Sequence, residues 1–393
     1  MKDYWEEQEI KKINKKKLTI SCIVGTLLVI FIIIGIFYIK NLSFREWVDK
    51  NILRKEVSQD KLATIELKEG ENPTVYAFNQ YIGVLNKNEF KIYNNMGKEE
   101  ENLSIQISNP LFDSSGRYLA VAETKGKKLY VICDKEICWE KEVDGNISQV
   151  HVNKNGYVAV TITDTINKTV ITVYDNQGTQ LFNNYLSTTR VSDIALSNDN
   201  KYLAIAEIDT SGTMIQSNIN IISIDKAKNG QENAVIETFQ GENNDLITNI
   251  HYQDKNRLIC MYTDKIKEVT LEGKFDTITE YGNKKIAFSM IELGGHIATV
   301  EEKSSGLFTA DSVVTITNIE NRNSVTYTAD SVTKEVYNYD HIIALNLGTE
   351  IEFINTSGWL VKRYKANQEI TNVTISSNIA GIIYRDKIEI VNL

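Results

Sequence analysis

From residue 62 onward, short apolar runs alternate with turns rich in Asn, Asp, Gly and Ser. Runs of that length and punctuation predict β-strands joined by hairpins. The first part of the chain follows another pattern. Leu18 to Ile39, LTISCIVGTLLVIFIIIGIFYI, holds twenty-two apolar or uncharged residues in succession. At about 1.5 Å rise per residue such a helix spans a hydrocarbon core of roughly 30 Å. The run is too long for a signal-peptide core, and no Ala-x-Ala cleavage site follows it. It therefore predicts an uncleaved, single-pass transmembrane anchor.

Orientation follows from the flanking cations. Lys11, Lys12, Lys15, Lys16 and Lys17 crowd the N-terminal side, while Lys40, Arg45, Lys50, Arg54 and Lys55 are dispersed on the other. Positive residues stay cytoplasmic, so the reading is a cytoplasmic tail at 1–17, the span at 18–39 and everything beyond it outside the cytoplasm. In residues 40–61, Phe44, Trp47, Val48, Ile52 and Leu53 recur at helical spacing, which predicts a short amphipathic juxtamembrane helix.

Residues 62–393 contain a repeat of about forty residues. One unit reads Pro110-Leu-Phe-Asp-Ser-Ser-Gly-Arg-Tyr-Leu-Ala-Val-Ala122, and a second reads Ile194-Ala-Leu-Ser-Asn-Asp-Asn-Lys-Tyr-Leu-Ala-Ile-Ala206. Val150 to Val160 is a third, and Ile351 to Trp359 ends a weaker fourth. Each unit has a first strand, a turn, a Tyr-Leu-Ala-Val strand, a loop, a third strand ending in Asp or Asn, and a fourth after a tight turn. Four antiparallel strands at this period make a β-propeller blade. Units start near 74, 109, 148, 191, 247, 286, 332 and 371, which predicts eight blades, with seven as the alternative. The last unit stops after three strands, and residues 62–67 form an orphan strand that would complete it and close the ring.

These repeats resemble WD40-like and quinoprotein-type propellers, although no Trp-Asp dipeptide closes a blade. The whole layout resembles uncharacterised single-pass membrane proteins of Gram-positive bacteria that carry an outside propeller. That resemblance implies a fold and a location rather than an activity.

Composition narrows the partners. The chain has 393 residues and a net charge of −9. Residues 1–17 carry +2, so the remainder is more acidic still and repels phosphate backbones, which argues against nucleic acid. Four Cys and four His are too few for a disulfide scaffold or a zinc site. No adjacent Cys pair, calcium loop, Gly-x-Ser-x-Gly, phosphate loop or His-Glu-x-x-His occurs, so no catalytic, metal or cofactor residue is assigned.

Some residues stand out. His151 and His251 occupy equivalent positions in the first strands of units three and five, in a column shared with Leu111 and Ala195, which suits packing. Cys133 and Cys138 flank a hairpin turn and face each other across it, a candidate disulfide in an oxidising exterior. Cys260 reads as a buried free thiol. Two loops between second and third strands are long. They place Met214 and Ile215, and Leu307 and Phe308, after a Ser-Gly element, a candidate partner-binding surface on one propeller face.

The expected function is a non-enzymatic, membrane-anchored scaffold or sensor. Its partner would be an envelope or membrane protein or a cell-wall polymer, outside the cytoplasm. The alternative is an envelope enzyme acting on glycan or peptide. Acids converging in the propeller channel, one with a raised pKa, would favour it.

Overall fold

A computed structural model describes residues 15–40, 44, 48, 61–68, 70, 72–163, 165–241, 245–304, 310–329 and 331–393. It divides into two units, 1–57 and 58–393. In the first, Lys15–Lys40 is a continuous helix of 26 residues. Side chains are described in it from Val24 to Tyr38, and among the described residues no helix is long and apolar enough to cross a membrane. The expected tail and most of the juxtamembrane segment lie outside the described residues, where only Phe44 and Val48 are assigned, both helical.

The second unit is eight four-stranded antiparallel sheets. First strands begin at Thr74, Pro110, Asn146, Arg190, Ile247, Ile286, Glu335 and Asn372, so blades 1 to 8 follow in chain order. Eight blades is the number the repeat predicted, and seven is excluded. The expected closing strand is also present. Lys61–Glu66 pairs with Lys387–Asn392 as the fourth strand of blade 8, so the ring shuts with strands from both ends of the unit.

Hairpin chemistry builds the blades. Between third and fourth strands, blades 1, 3 and 7 use the same turn. The side-chain oxygen of Asn94, Asp175 or Asn355 accepts backbone N–H groups two and four residues on. Each turn ends in a glycine with positive φ; for Gly178 it is 77°, where a side chain would also strike the Trp139 ring 2.8 Å away.

Packing follows the ring. The eight apolar clusters correspond to the eight seams between neighbouring blades. The second strand of each blade, such as Tyr118–Glu123, is buried on both faces, which explains its near-continuous apolar sequence. The seam between blades 5 and 6 has the fewest buried apolar residues, and charge supplements it. Glu268 meets Arg322 at 2.6 Å and Arg257 at 3.7 Å.

The antiparallel order defines two faces. Turns from first to second and third to fourth strands share one, the turn face. Loops from second to third strands and the links between blades share the other, the loop face. Lys61 opens the closing strand at the turn face, so the chain enters the propeller opposite the loop face.

Candidate functional site

The first strands of successive blades contact one another around the axis and line the central channel. Six of the eight bring ionisable or phenolic groups to it, through Tyr76, Asp113, His151, Asp193, His251 and Glu292. His151 and His251 do share a column, opposite Ala159 and Ile259 of their second strands. The register corrects its other members. Ala195 belongs, but the blade 2 residue is Asp113, opposite Ala120, and Leu111 lies two positions away. Blade 2 turns through only Gly116 and Arg117, whereas blade 4 needs the longer Ser197–Lys201 turn. Equal sequence spacing therefore hides a two-residue offset, and the column combines Asp113, His151 and His251 with the buried Ala195.

Asp113 Oδ2 lies 3.2 Å from His151 Nδ1 and also accepts the Val152 N–H at 2.6 Å. Asp193, in blade 4, accepts the Ile250 N–H of blade 5 at 2.8 Å and its neighbour's N–H at 2.9 Å. Both aspartates thus staple one blade to the next, as Thr374 does by accepting the Ala77 N–H at 2.6 Å. Glu292 enters the channel differently. A bulge between Met290 and Leu293 takes it out of the ladder, next to the tight Gly294-Gly295 turn. Its carboxylate lies 3.6 Å from His251 Nδ1, and it remains 62% exposed because it projects into the channel rather than into a core. Tyr76 stacks on Phe112 at 4.9 Å, its hydroxyl 3.4 Å from Ser114 Oγ.

The electrostatics show that these groups feel one another. Burial raises Asp193 to about 6, against the opposing pull of the Ile250 N–H and His151. Burial disfavours the His151 imidazolium, but the charge and hydrogen bond of Asp113, with Glu292 and Asp193, outweigh it and raise the pKa. Enclosure within the channel likewise opposes ionisation of Glu292, but the contact and charge of His251 together with the charge of His151 outweigh it, leaving the pKa lowered. Among the described residues, no group of three or more His, Cys, Asp or Glu is placed to hold a metal ion.

On the loop face, Met214 and Ile215 are 51% and 47% exposed. Leu307 and Phe308 lie outside the described residues. The neighbouring loop of blade 3 adds Ile166, fully exposed, which sequence reasoning missed because it sits alone between polar residues in Asp-Thr-Ile-Asn-Lys.

Cys133 and Cys138 are joined as a disulfide, with Cα atoms 5.8 Å apart, inside the usual range. They are not direct cross-strand partners as expected. Glu136 faces Cys133, and Cys138 is the residue bulged out between Ile137 and Trp139. Cys260 is buried, as expected, and burial pushes its thiol pKa far up. We predict that the purified, folded propeller reacts slowly with maleimide at Cys260 at pH 7. Fast labelling there would show that blade 5 opens.

A family model described as "Family of unknown function (DUF5711)" matches residues 53–393. No curated protein matches the sequence. Several solved propellers resemble the fold. BamB from Moraxella catarrhalis is 12% identical, with 86% of this chain and 100% of that one covered at a TM-score of 0.51. Dihydro-heme d1 dehydrogenase NirN is 11% identical, with 86% and 78% covered at 0.55. A eukaryotic initiation factor is 13% identical, with 83% and 87% covered at 0.51. At such identities the likeness establishes the propeller alone.

Proposed function

The chain belongs to this DUF5711 family, and we propose that it is a membrane-anchored binding propeller, held outside the cytoplasm, that captures an envelope protein through its loop face. The observation that carries the reading is the row of exposed apolar tips, Ile166, Met214 and Ile215, on second-to-third-strand loops of adjacent blades. Apolar side chains on neighbouring loops of a rigid scaffold are a common form of contact surface. By sequence, Leu307 and Phe308 belong to the corresponding loop of blade 6. Support for the anchor is the charge-free run Leu18 to Ile39 and its lysine-rich N-terminal flank. The Cys133–Cys138 pair fits an oxidising exterior.

Protease added to intact cells tests the location. The propeller is expected to be digested while the cytoplasmic tail survives with the membrane. Protection of the propeller until lysis reverses the topology. Alkylation without reductant should also leave Cys133 and Cys138 unlabelled in protein taken directly from cells. Full labelling contradicts the exterior location.

One observation favours a second reading, an enzyme with its site in the channel. Asp113–His151 and Glu292–His251 are carboxylate–imidazole pairs, the arrangement that orients a general base, and Asp193 is an adjacent carboxyl whose pKa is raised to about 6. His151→Gln separates the two readings. Partner capture at the loop face is expected to persist in this variant, whereas a reaction in the channel would be lost.

A further inference from the structure

At the seam between blades 2 and 3 lies a groove of about 690 Å³, within the range of small-ligand sites. We propose that this groove binds an oligosaccharide that is neutral or amine-bearing rather than anionic. The groove borders Ile166 of the loop-face surface, but its sugar-facing residues are others, and the inference rests neither on partner capture nor on the anchor.

The groove arises from the pleat of blade 3. Val170, Thr172 and Tyr174 alternate along its third strand and so share one face, and the register sets Tyr185, Asn183 and Gln180 opposite them. Blade 2 contributes the end of its last strand and the link that follows, with Glu142, Val143 and Asp144. Ile162, Val170 and Val143 are buried and supply an apolar base.

The polar groups on this face are ordered in advance. Thr172 Oγ1 donates to Asn183 Oδ1 at 2.9 Å, and Asn183 Nδ2 donates to the Tyr185 hydroxyl at 3.0 Å. Tyr185 is nonetheless 58% exposed. A sugar ring has an apolar C–H face and an equatorial edge of hydroxyls. It can stack on an exposed aromatic ring while its edge exchanges hydrogen bonds with fixed amides and hydroxyls. An aliphatic ligand would leave that ladder without ligand partners, and a flat anion would meet the wrong charge.

Charge sets the class. Glu142 and Asp144 line the groove, and no Lys or Arg is among its lining residues. The negative field reaches its aromatic wall. Burial first, and then the charge of Asp144, raises the Tyr174 pKa. Phosphorylated, sulfated or uronic sugars are therefore excluded, and a free amine is favoured.

The test is calorimetric titration of the full chain in detergent with three probes: a glucosamine tetramer, an N-acetylglucosamine tetramer and a heparin tetrasaccharide. The expected order is glucosamine, then N-acetylglucosamine, with no binding of heparin. Tyr185→Ala should weaken binding about tenfold, the loss of one aromatic stacking contact. Tyr185→Phe should retain most of the affinity, and an unchanged melting curve for both variants keeps the comparison meaningful. Glu142→Gln with Asp144→Asn should remove the preference for the free amine. Heparin binding, no heat with either glucosamine probe at millimolar concentration, or binding unchanged in Tyr185→Ala overturns the proposal.

Discussion

Between pH 5 and pH 8 the propeller is expected to lose stability, and the loss should trace to the channel. Asp193 has an ordinary value of 3.8 and stands at about 6 in the fold. The folded chain therefore holds this proton over a range where the unfolded chain has released it. Its stabilising contribution is complete below about pH 4 and is lost as pH rises towards 6. His151 acts in the same direction. Its pKa is raised above the ordinary 6.5, so the energy of its charged contact with Asp113 is present below 6.5 and lost above the folded value. Glu292 acts in the opposite direction. Its folded pKa lies below 4.5, so its contribution is present above that value and is lost only as pH falls.

The window from pH 5 to pH 8 therefore contains the Asp193 and His151 losses without the Glu292 loss. One pKa unit corresponds to about 1.4 kcal/mol. Asp193 crosses roughly one unit in this window, so about 1 kcal/mol is expected from it after allowance for partial exposure. Urea midpoints at the two pH values measure the slope. Asp193→Asn should flatten that slope while leaving the His151 part. The slope rather than the absolute stability is the readout, because an amide cannot accept both N–H groups. An unchanged slope in Asp193→Asn would show that this carboxyl does not carry the linkage.

The second large effect concerns ring closure. Removing residues 1–66 deletes the fourth strand of blade 8 and bares the hydrogen-bonding edge of Lys387–Asn392. It also uncovers the cluster in which Ile65 packs with Ile388, Ile390 and Val75. An unpaired apolar edge recruits other strands, so the truncated chain should aggregate or form oligomers on size exclusion. A finer probe keeps the strand. Ile65→Asp places an unpaired carboxylate in that cluster and should cost about 3–5 kcal/mol, whereas Ile65→Val should cost about 1 kcal/mol. A monomeric truncated chain with an unchanged melting temperature would mean that the ring closes without this strand.

The blades were legible because their second strands are buried on both faces and cannot vary much. Tyr118-Leu-Ala-Val121, Tyr157-Val-Ala-Val160 and Tyr202-Leu-Ala-Ile205 mark the same place in blades 2, 3 and 4. Every first strand begins within three residues of its expected start, from Thr74 to Asn372. The orphan strand at 62–67 was legible for the same reason, since a blade of three strands requires a fourth.

The channel was legible only in part. His151 and His251 fall in one column because their second strands align, but Asp113 was hidden by a hairpin two residues shorter than its counterpart in blade 4. Glu292 owes its position to a bulge, which leaves no mark on hydrophobic periodicity. The Cys133–Cys138 pair was identified, but its register was not, for the same reason: Cys138 occupies the bulge. Convergence of groups from six blades is a product of ring closure, and no local pattern encodes it. Ile166 was missed because a single apolar residue in a polar loop carries no periodic signal, although a loop tip is where such a residue matters.

Cross-linking on intact cells, with the protein recovered from membranes and its partners identified, tests the central claim most directly. The account predicts one recurring envelope protein that is lost when Met214→Asp and Ile215→Asp are combined and retained in His151→Gln. Capture that survives the loop-face changes, or that disappears with His151→Gln alone, would contradict it and move the functional site into the channel.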